Sequence, residues 1–198
     1  MTMKKTIFTI LFFLLLIVET NAKESFISLE KLKIHDINKV IFLRHALAPG
    51  NGDPPNFNVN DCSTQRNLGK AGIVQSRMIG QSIKNIGIKF SKIYSSFWCR
   101  CKDTAMNMEV GEFKTHLGLN SFYEKHADRE TTLRKLNNLI KGFNKLDGPY
   151  LLVTHYVNIL AFTGLSTSSG GMVAYDLNTK VSTHIKTITN FCYFRYLL

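Results

Sequence analysis

Acidic residues, cysteines and repeats are all scarce or missing in this chain. Of 198 residues only 14 are Asp or Glu, against 25 Lys and Arg, a formal charge of +11. Such a balance favours anionic partners. No recognised nucleic-acid motif accompanies it, so the charge reads mainly as a solvated Lys-rich surface and nucleic acid is not expected as a partner. There are four cysteines and no C-x-x-C pair, and Cys99-Arg100-Cys101 is poorly spaced for a zinc knuckle. No metal site is expected. Internal repeats and low-complexity segments are absent, and 44% of the residues are hydrophobic, which suits one ordinary globular domain.

Only one apolar run is long, and it is N-terminal. Lys4 and Lys5 precede a nearly continuous apolar stretch from Thr6 to Val18, and Thr20-Asn21-Ala22 supplies small residues beyond it. This is the pattern of a secretory signal. The stretch is short for a span of about 20 residues, so cleavage after Ala22 is expected over an uncleaved anchor. Residues 1–22 are then a signal peptide and 23–198 a single soluble domain, periplasmic or secreted, with no further membrane contact. Cleavage removes two Lys and one Glu, leaving 23 basic and 13 acidic residues. Export makes a disulfide possible. Cys62, Cys99, Cys101 and Cys192 allow three full pairings, and spacing alone does not choose among them.

Periodicity predicts an alternating chain. Residues 23–37 read as an irregular lead or a short helix. A strand over 39–45 is followed by a long Pro- and Gly-containing loop to Arg66, and such loops are usually functional. Helical spacing runs over 70–86, with Ile73, Met78, Ile79, Ile83 and Ile86 roughly on one face. A short strand at 92–96, a helix at 100–109, a strand at 114–118 and a helix at 128–145 follow. Gly148-Pro149 breaks the chain before a strand at 150–155 and a short helix at 156–163. Residues 172–177 and 181–196 read as two or three more strands. Strands alternating with helices imply an α/β three-layer sandwich: a mostly parallel central sheet, helices on both faces, and an antiparallel edge from the C-terminal strands.

Arg44-His45 ends the first apolar run, Lys39-Val40-Ile41-Phe42-Leu43, and His155 ends another, Tyr150-Leu151-Leu152-Val153-Thr154. Open α/β sheets bind ligands beyond the carboxyl ends of their strands. A guanidinium there can grip a phosphoryl group by paired hydrogen bonds, and an imidazole can attack phosphorus. Two further segments complete the pattern: Arg66-Asn67-Leu68-Gly69-Lys70-Ala71-Gly72, and Ser95-Ser96-Phe97-Trp98-Cys99-Arg100-Cys101-Lys102-Asp103-Thr104-Ala105. In this order and spacing the chain resembles the histidine phosphatase superfamily, with its phosphoglycerate-mutase-like fold, over roughly residues 39–177.

The resemblance implies roles position by position. His45 matches the nucleophile that becomes phosphohistidine. Arg44 and Arg100 match the two phosphate-clamping arginines, and His155 matches the second histidine at the phosphoryl group. Arg66 sits where some short members place an extra phosphate-side Arg. Glu124 is the candidate for the leaving-group acid, with Asp128 next. Two positions depart from the pattern: Ala46 and Tyr156 stand where the family usually has Gly. Cys101 matches a cysteine common in relatives, whereas Cys62 and Cys99 do not, and these two are the candidate disulfide. His35, His116, His126 and His184 read as surface residues, and Asn158 as a cap for local backbone groups. The implied activity is an exported, cofactor-independent phosphoric monoester hydrolase acting on a small phosphorylated substrate, of which an envelope sugar phosphate is one example. A mutase fits less well with a signal peptide. A catalytically weak phosphate- or phosphoglycan-binding protein on the same fold is the alternative.

Overall fold

The two apolar runs form neighbouring strands at the centre of one sheet. In the computed structural model, which describes residues 26–29 and 38–186, β2 spans Lys39–Arg44 and β5 spans Tyr150–Thr154. Both are buried on both faces, which is why they read as continuous rather than alternating apolar runs. Their side chains divide by parity: Ile41, Leu43, Leu151 and Val153 enter one core, and Val40, Phe42, Tyr150 and Leu152 enter the other. Helices α1 (Lys70–Asn85) and α2 (Cys99–Met108) cover the first core with Ile79, Ile83, Cys101, Ala105 and Met108. Helices α3 (Arg129–Lys141) and α4 (Tyr156–Thr163) cover the second with Leu136, Ile140 and Ile159. The result is the three-layer α/β sandwich that the pattern predicted.

The other strands are β1 (Phe26–Ser28), β3 (Lys92–Ser95), β4 (Phe113–Thr115), β6 (Met172–Asp176) and β7 (Ser182–Lys186). The sheet order is β1-β7-β6-β2-β5-β3-β4. Among the described strands only β6 runs antiparallel, pairing with both β2 and β7. The antiparallel contribution expected at an edge therefore lies inside the sheet, and the edges are β1 and β4. β1 also corrects the irregular or helical lead: three residues held by backbone pairing to β7 are too few to show a period. α3 stops at Lys141, where the Gly142 N–H closes the last turn onto Asn138 and Leu139, short of the expected residue 145. The expected signal segment 1–22, His35, Cys192 and the strand expected beyond 186 lie outside the described residues. No described helix is long and apolar enough to cross a membrane.

Two close approaches fix α1. A Cβ on Gly80 would sit 1.9 Å from the Met108 carbonyl oxygen, and one on Gly72 would sit 2.0 Å from that of Leu47. The first brings α1 against α2. The second brings α1 against the loop that leaves His45.

Candidate active site

Register brings the two strand-end histidines together. β2 and β5 are parallel with Leu43 beside Val153 and Arg44 beside Thr154, so the next residue on each, His45 and His155, meet beyond the sheet. The His45 N–H continues the ladder onto the Thr154 carbonyl at 3.0 Å. The two imidazole centroids lie 5.4 Å apart, edge to face. β3 is in register with β5 on the other side, and its exit through Ser96 starts α2, which carries Arg100 in its first turn. The N-terminus of α2 thus faces the same point, where its dipole favours an anion. Arg44, Arg66, Arg100, His45 and His155 line one cavity of about 620 Å³, counting its open mouth.

Both histidines are held neutral. His45 Nδ1 lies 2.8 Å from the Ala46 carbonyl, which can only accept. Nδ1 therefore carries the proton and Nε2 keeps its lone pair. Burial, and then the positive charge of Arg100, push the His45 pKa down to about 3, against the opposing pull of the Ala46 hydrogen bond. Burial and Arg100, with His45 next, also hold His155 well below the usual histidine range. Cys101, packed under His155, is pushed up to about 12 by burial. It is an inert thiol, as expected of a buried small hydrophobe.

The long loop supplies a residue that pattern reading missed. Asp53 makes a two-pronged ion pair with Arg100 (Oδ1 to Nη1 2.7 Å, Oδ2 to Nη2 3.1 Å), and both side chains are under 5% exposed. The same carboxylate accepts from Trp98 Nε1 at 3.0 Å and from the Arg66 N–H at 3.0 Å. Burial raises its pKa, but these hydrogen bonds outweigh burial and hold it below the usual range. Gln65 Oε1 accepts the N–H of Cys99 at 2.9 Å, and Cys62 and Cys99 form a disulfide with their Cα atoms 5.7 Å apart. The loop is thus tied to the start of α2 at Trp98, Cys99 and Arg100. Arg66 donates to the carbonyls of Ala48 (2.6 Å) and Gly52 (2.8 Å), so it braces the loop as well as lining the cavity. Arg44 donates Nη1 to the Thr167 carbonyl at 3.0 Å. The Nε atoms of Arg44 and Arg100 are buried without a hydrogen-bond partner among the described residues. Buried donors of this kind ordinarily find an acceptor.

Other expected residues fall elsewhere. Glu124 does not line the cavity: its carboxylate is half exposed, accepts the Asp53 N–H at 3.3 Å and lies 3.6 Å from His126 Nε2. It braces the loop from outside. Asp128 is the N-cap of α3, accepting from the Thr131 N–H at 2.8 Å. Ala46 has no positive φ, so its methyl is tolerated where glycine is usual. Tyr156 stands at the mouth with its ring 5.5 Å from the Arg44 guanidinium. The histidines expected at the surface are not simple surface groups: His184 is buried, His126 packs on Phe57 at 4.3 Å, and His116 caps a short turn by accepting the Gly118 N–H. Asn158 binds backbone, but not locally. It reaches the Asn120 carbonyl at 2.9 Å, 38 residues away.

No family model and no curated protein matches the sequence. Solved structures do match the fold. SixA from Agrobacterium tumefaciens aligns at 20% identity over 76% of this chain and 96% of its own, with a TM-score of 0.51. A mycobacterial glucosyl-3-phosphoglycerate phosphatase in complex with inorganic phosphate aligns at 13% over 74% and 95%, with a TM-score of 0.54. The phosphoserine phosphatase of Entamoeba histolytica, in complex with 3-phosphoglyceric acid, aligns at 16% over 74% and 94%, with a TM-score of 0.51. The chain has the phosphoglycerate-mutase-like fold. Likeness at this identity defines the fold, and function rests on the chemistry of the site.

Proposed function

We propose that this chain is a metal-independent phosphatase that hydrolyses a small phosphorylated substrate through phosphohistidine on His45. One observation carries the reading: His45 presents an unprotonated Nε2, with its other nitrogen tied to a backbone carbonyl, inside a cavity lined by three arginines. In the first step Nε2 attacks phosphorus in line and the bond to the leaving oxygen breaks. In the second, water displaces His45 and releases phosphate. Arg44, Arg66, Arg100 and His155 surround the phosphoryl group, where charge spreads over the equatorial oxygens of the transition state. The signal-like N-terminus supports a periplasmic or secreted enzyme, for which an envelope sugar phosphate is a suitable substrate.

Among the described residues no carboxylate lines the cavity. That observation favours leaving groups that depart without strong acid assistance. It also supports the second reading, a phosphate- or phosphoglycan-binding protein that is phosphorylated but turns over poorly. The test is hydrolysis of p-nitrophenyl phosphate by residues 23–198 between pH 4 and 8 in EDTA, beside His45→Ala. Turnover lost in the variant is the expected result. One burst without turnover selects the binding reading. Equal inactivity of two folded proteins, with no labelled phosphoenzyme, refutes the phosphohistidine mechanism.

A further inference from the structure

Behind His155 lies a buried hydrogen-bond chain whose direction follows donor by donor. The Phe97 N–H points at Asn120 Oδ1 at 3.0 Å, which identifies that amide atom as the oxygen. The same oxygen is 3.2 Å from Ser96 Oγ, so the Ser96 hydroxyl donates to it. The only Ser96 proton is then committed. Its oxygen accepts from the Trp98 N–H at 3.2 Å and faces His155 Nε2 at 3.0 Å. Nε2 must therefore carry a proton. Cys101 agrees with this polarity: its thiol faces the Thr154 carbonyl at 3.6 Å, leaving the sulfur to accept from the same Nε2 at 3.5 Å. The neutral ring consequently has a bare Nδ1, which has no hydrogen-bond partner among the described residues. The ring lines the cavity. The two neutral histidines are thus opposite tautomers: His45 offers Nε2, and His155 offers Nδ1.

A bare imidazole nitrogen is a base. Burial and Arg100 weaken it, a phosphoryl dianion on His45 offsets that positive field, and few other bases are at hand. Asp53 is committed to Arg100. Glu124 lies outside the cavity wall. Once His45 is phosphorylated, its Nε2 lone pair is bonded to phosphorus. We propose that His155 Nδ1 is the base of the second half-reaction, and that Ser96 and Asn120 are positioning residues that hold the ring in the required tautomer. The proposal rests on the phosphohistidine reading above and deepens it. A water oxygen bonds to phosphorus while the bond from phosphorus to His45 Nε2 breaks and its electron pair returns to that nitrogen. The proton shed by the water passes to His155 Nδ1. Phosphate departs, and the proton on His155 goes to bulk water or to the leaving oxygen of the next substrate, restoring the neutral ring.

Two measurements on the purified protein test this. Long-range proton–nitrogen correlation of the imidazole rings reports the tautomers directly, and wild type is expected to show bare Nδ1 on His155 and bare Nε2 on His45. A proton on His155 Nδ1 overturns the proposal. Rapid-quench kinetics with p-nitrophenyl phosphate then compare wild type with Ser96→Ala. Phosphoenzyme formation is expected to stay within about threefold, while its decay slows up to about 100-fold, the lower range for a general base. The variant should accumulate acid-labile phosphoenzyme. Equal slowing of both steps indicates a structural role only and overturns the proposal while leaving phosphohistidine on His45 standing. If no phosphoenzyme forms on wild type under any substrate load, the phosphohistidine reading fails and the proposal with it. Should Ser96→Ala not fold, Asn120→Ala frees the Ser96 hydroxyl to turn toward Nε2, and its kinetics are read against the same outcomes.

Discussion

Replacing Asp53 with Ala isolates a buried positive charge. Asp53 and Arg100 meet by two short hydrogen bonds with both side chains almost fully enclosed. Removing one partner of such a pair costs about 3–5 kcal/mol, because the other charge is left uncompensated. Arg100 lines the open cavity and water can reach it, so the lower end, about 3 kcal/mol, is expected. For a domain of this size that corresponds to a fall in Tm of about 6–12 °C. Asp53→Asn should cost less, since the amide oxygen retains one acceptor for Arg100 or Trp98. The loss should also respond to oxyanions. Phosphate in the cavity supplies the missing negative charge, so its stabilising effect should be larger in Asp53→Ala than in wild type, where saturation at 100 times Kd gives about 2.7 kcal/mol. Calorimetry with and without phosphate or vanadate measures both quantities. A loss under about 1 kcal/mol would refute the buried-pair argument. Equal phosphate shifts in the two proteins would show that Arg100 does not face the anion. Acid adds an independent check. A carboxyl held below its usual range contributes stability above about pH 3.9 that is lost as the pH falls through the folded value, and Asp53→Ala should lack that limb.

The histidines make a linkage of the same sign, over a higher pH range. An unfolded histidine takes up a proton near pH 6.5, whereas His45 does so only near pH 3. Between those values the unfolded chain binds the extra proton, so stability should fall as pH is lowered, by up to about 1.4 kcal/mol per pH unit from this residue. His155 steepens the slope in the same direction, and His45→Gln should flatten it in denaturant titrations at successive pH values. An unchanged slope would contradict the buried neutral state. Replacing Cys62 and Cys99 together with Ser opens a closure of 37 residues. The loss should be about 2–4 kcal/mol in chemical denaturation, with new proteolytic cleavage in the 46–66 loop, and full protease resistance would count against the loop's dependence on that tether. Gly72→Ala should push α1 away from the Leu47 carbonyl and cost activity at His45 as well as stability. Measured kcat/KM unchanged from wild type would show that the close approach does not position the loop.

Much of the site was legible because strand ends carry it. Arg44-His45 and His155 stand out as polar groups closing runs that are apolar on both faces, and a parallel α/β order already implies that such ends gather on one side. Their one-residue register was not legible, since pairing partners far apart in sequence leave no local trace. Asp53 shows the limit most clearly. It sits in a Gly- and Pro-containing loop without periodicity, 47 residues from Arg100, and nothing local marks it as buried. The available signal was compositional: an acidic residue beside Pro54-Pro55, in a loop opening from Arg44-His45, within a chain short of acids. Glu124 was favoured by its place along the chain, yet backbone geometry decides otherwise, because a left-handed turn at Glu124 and Lys125 sets its carboxylate against the outside of the loop. β1 escaped because three residues cannot display a period, and the interior place of β6 depends on which strand it pairs with rather than on its own composition.

In the proposed mechanism, the charges of the cavity would serve binding and nucleophilicity at once. Three guanidiniums line it, and Asp53 neutralises one, leaving an excess that matches a phosphate dianion. The same positive field disfavours a proton on either ring. Under the proposed mechanism, the arginines that would grip the phosphoryl group therefore also keep His45 Nε2 unprotonated. A carboxylate beside His45 would do the reverse, raising its pKa and competing for the arginines. Asp53 takes up one arginine but avoids the first effect, because its oxygens are turned onto Arg100, Trp98 and the Arg66 backbone. The ties from the loop to α2, at Asp53, at Gln65 and at the disulfide, hold that orientation. The loop thus sets the net charge that the two histidines experience, and its integrity should govern the protonation of His45 as directly as any residue that touches the ring.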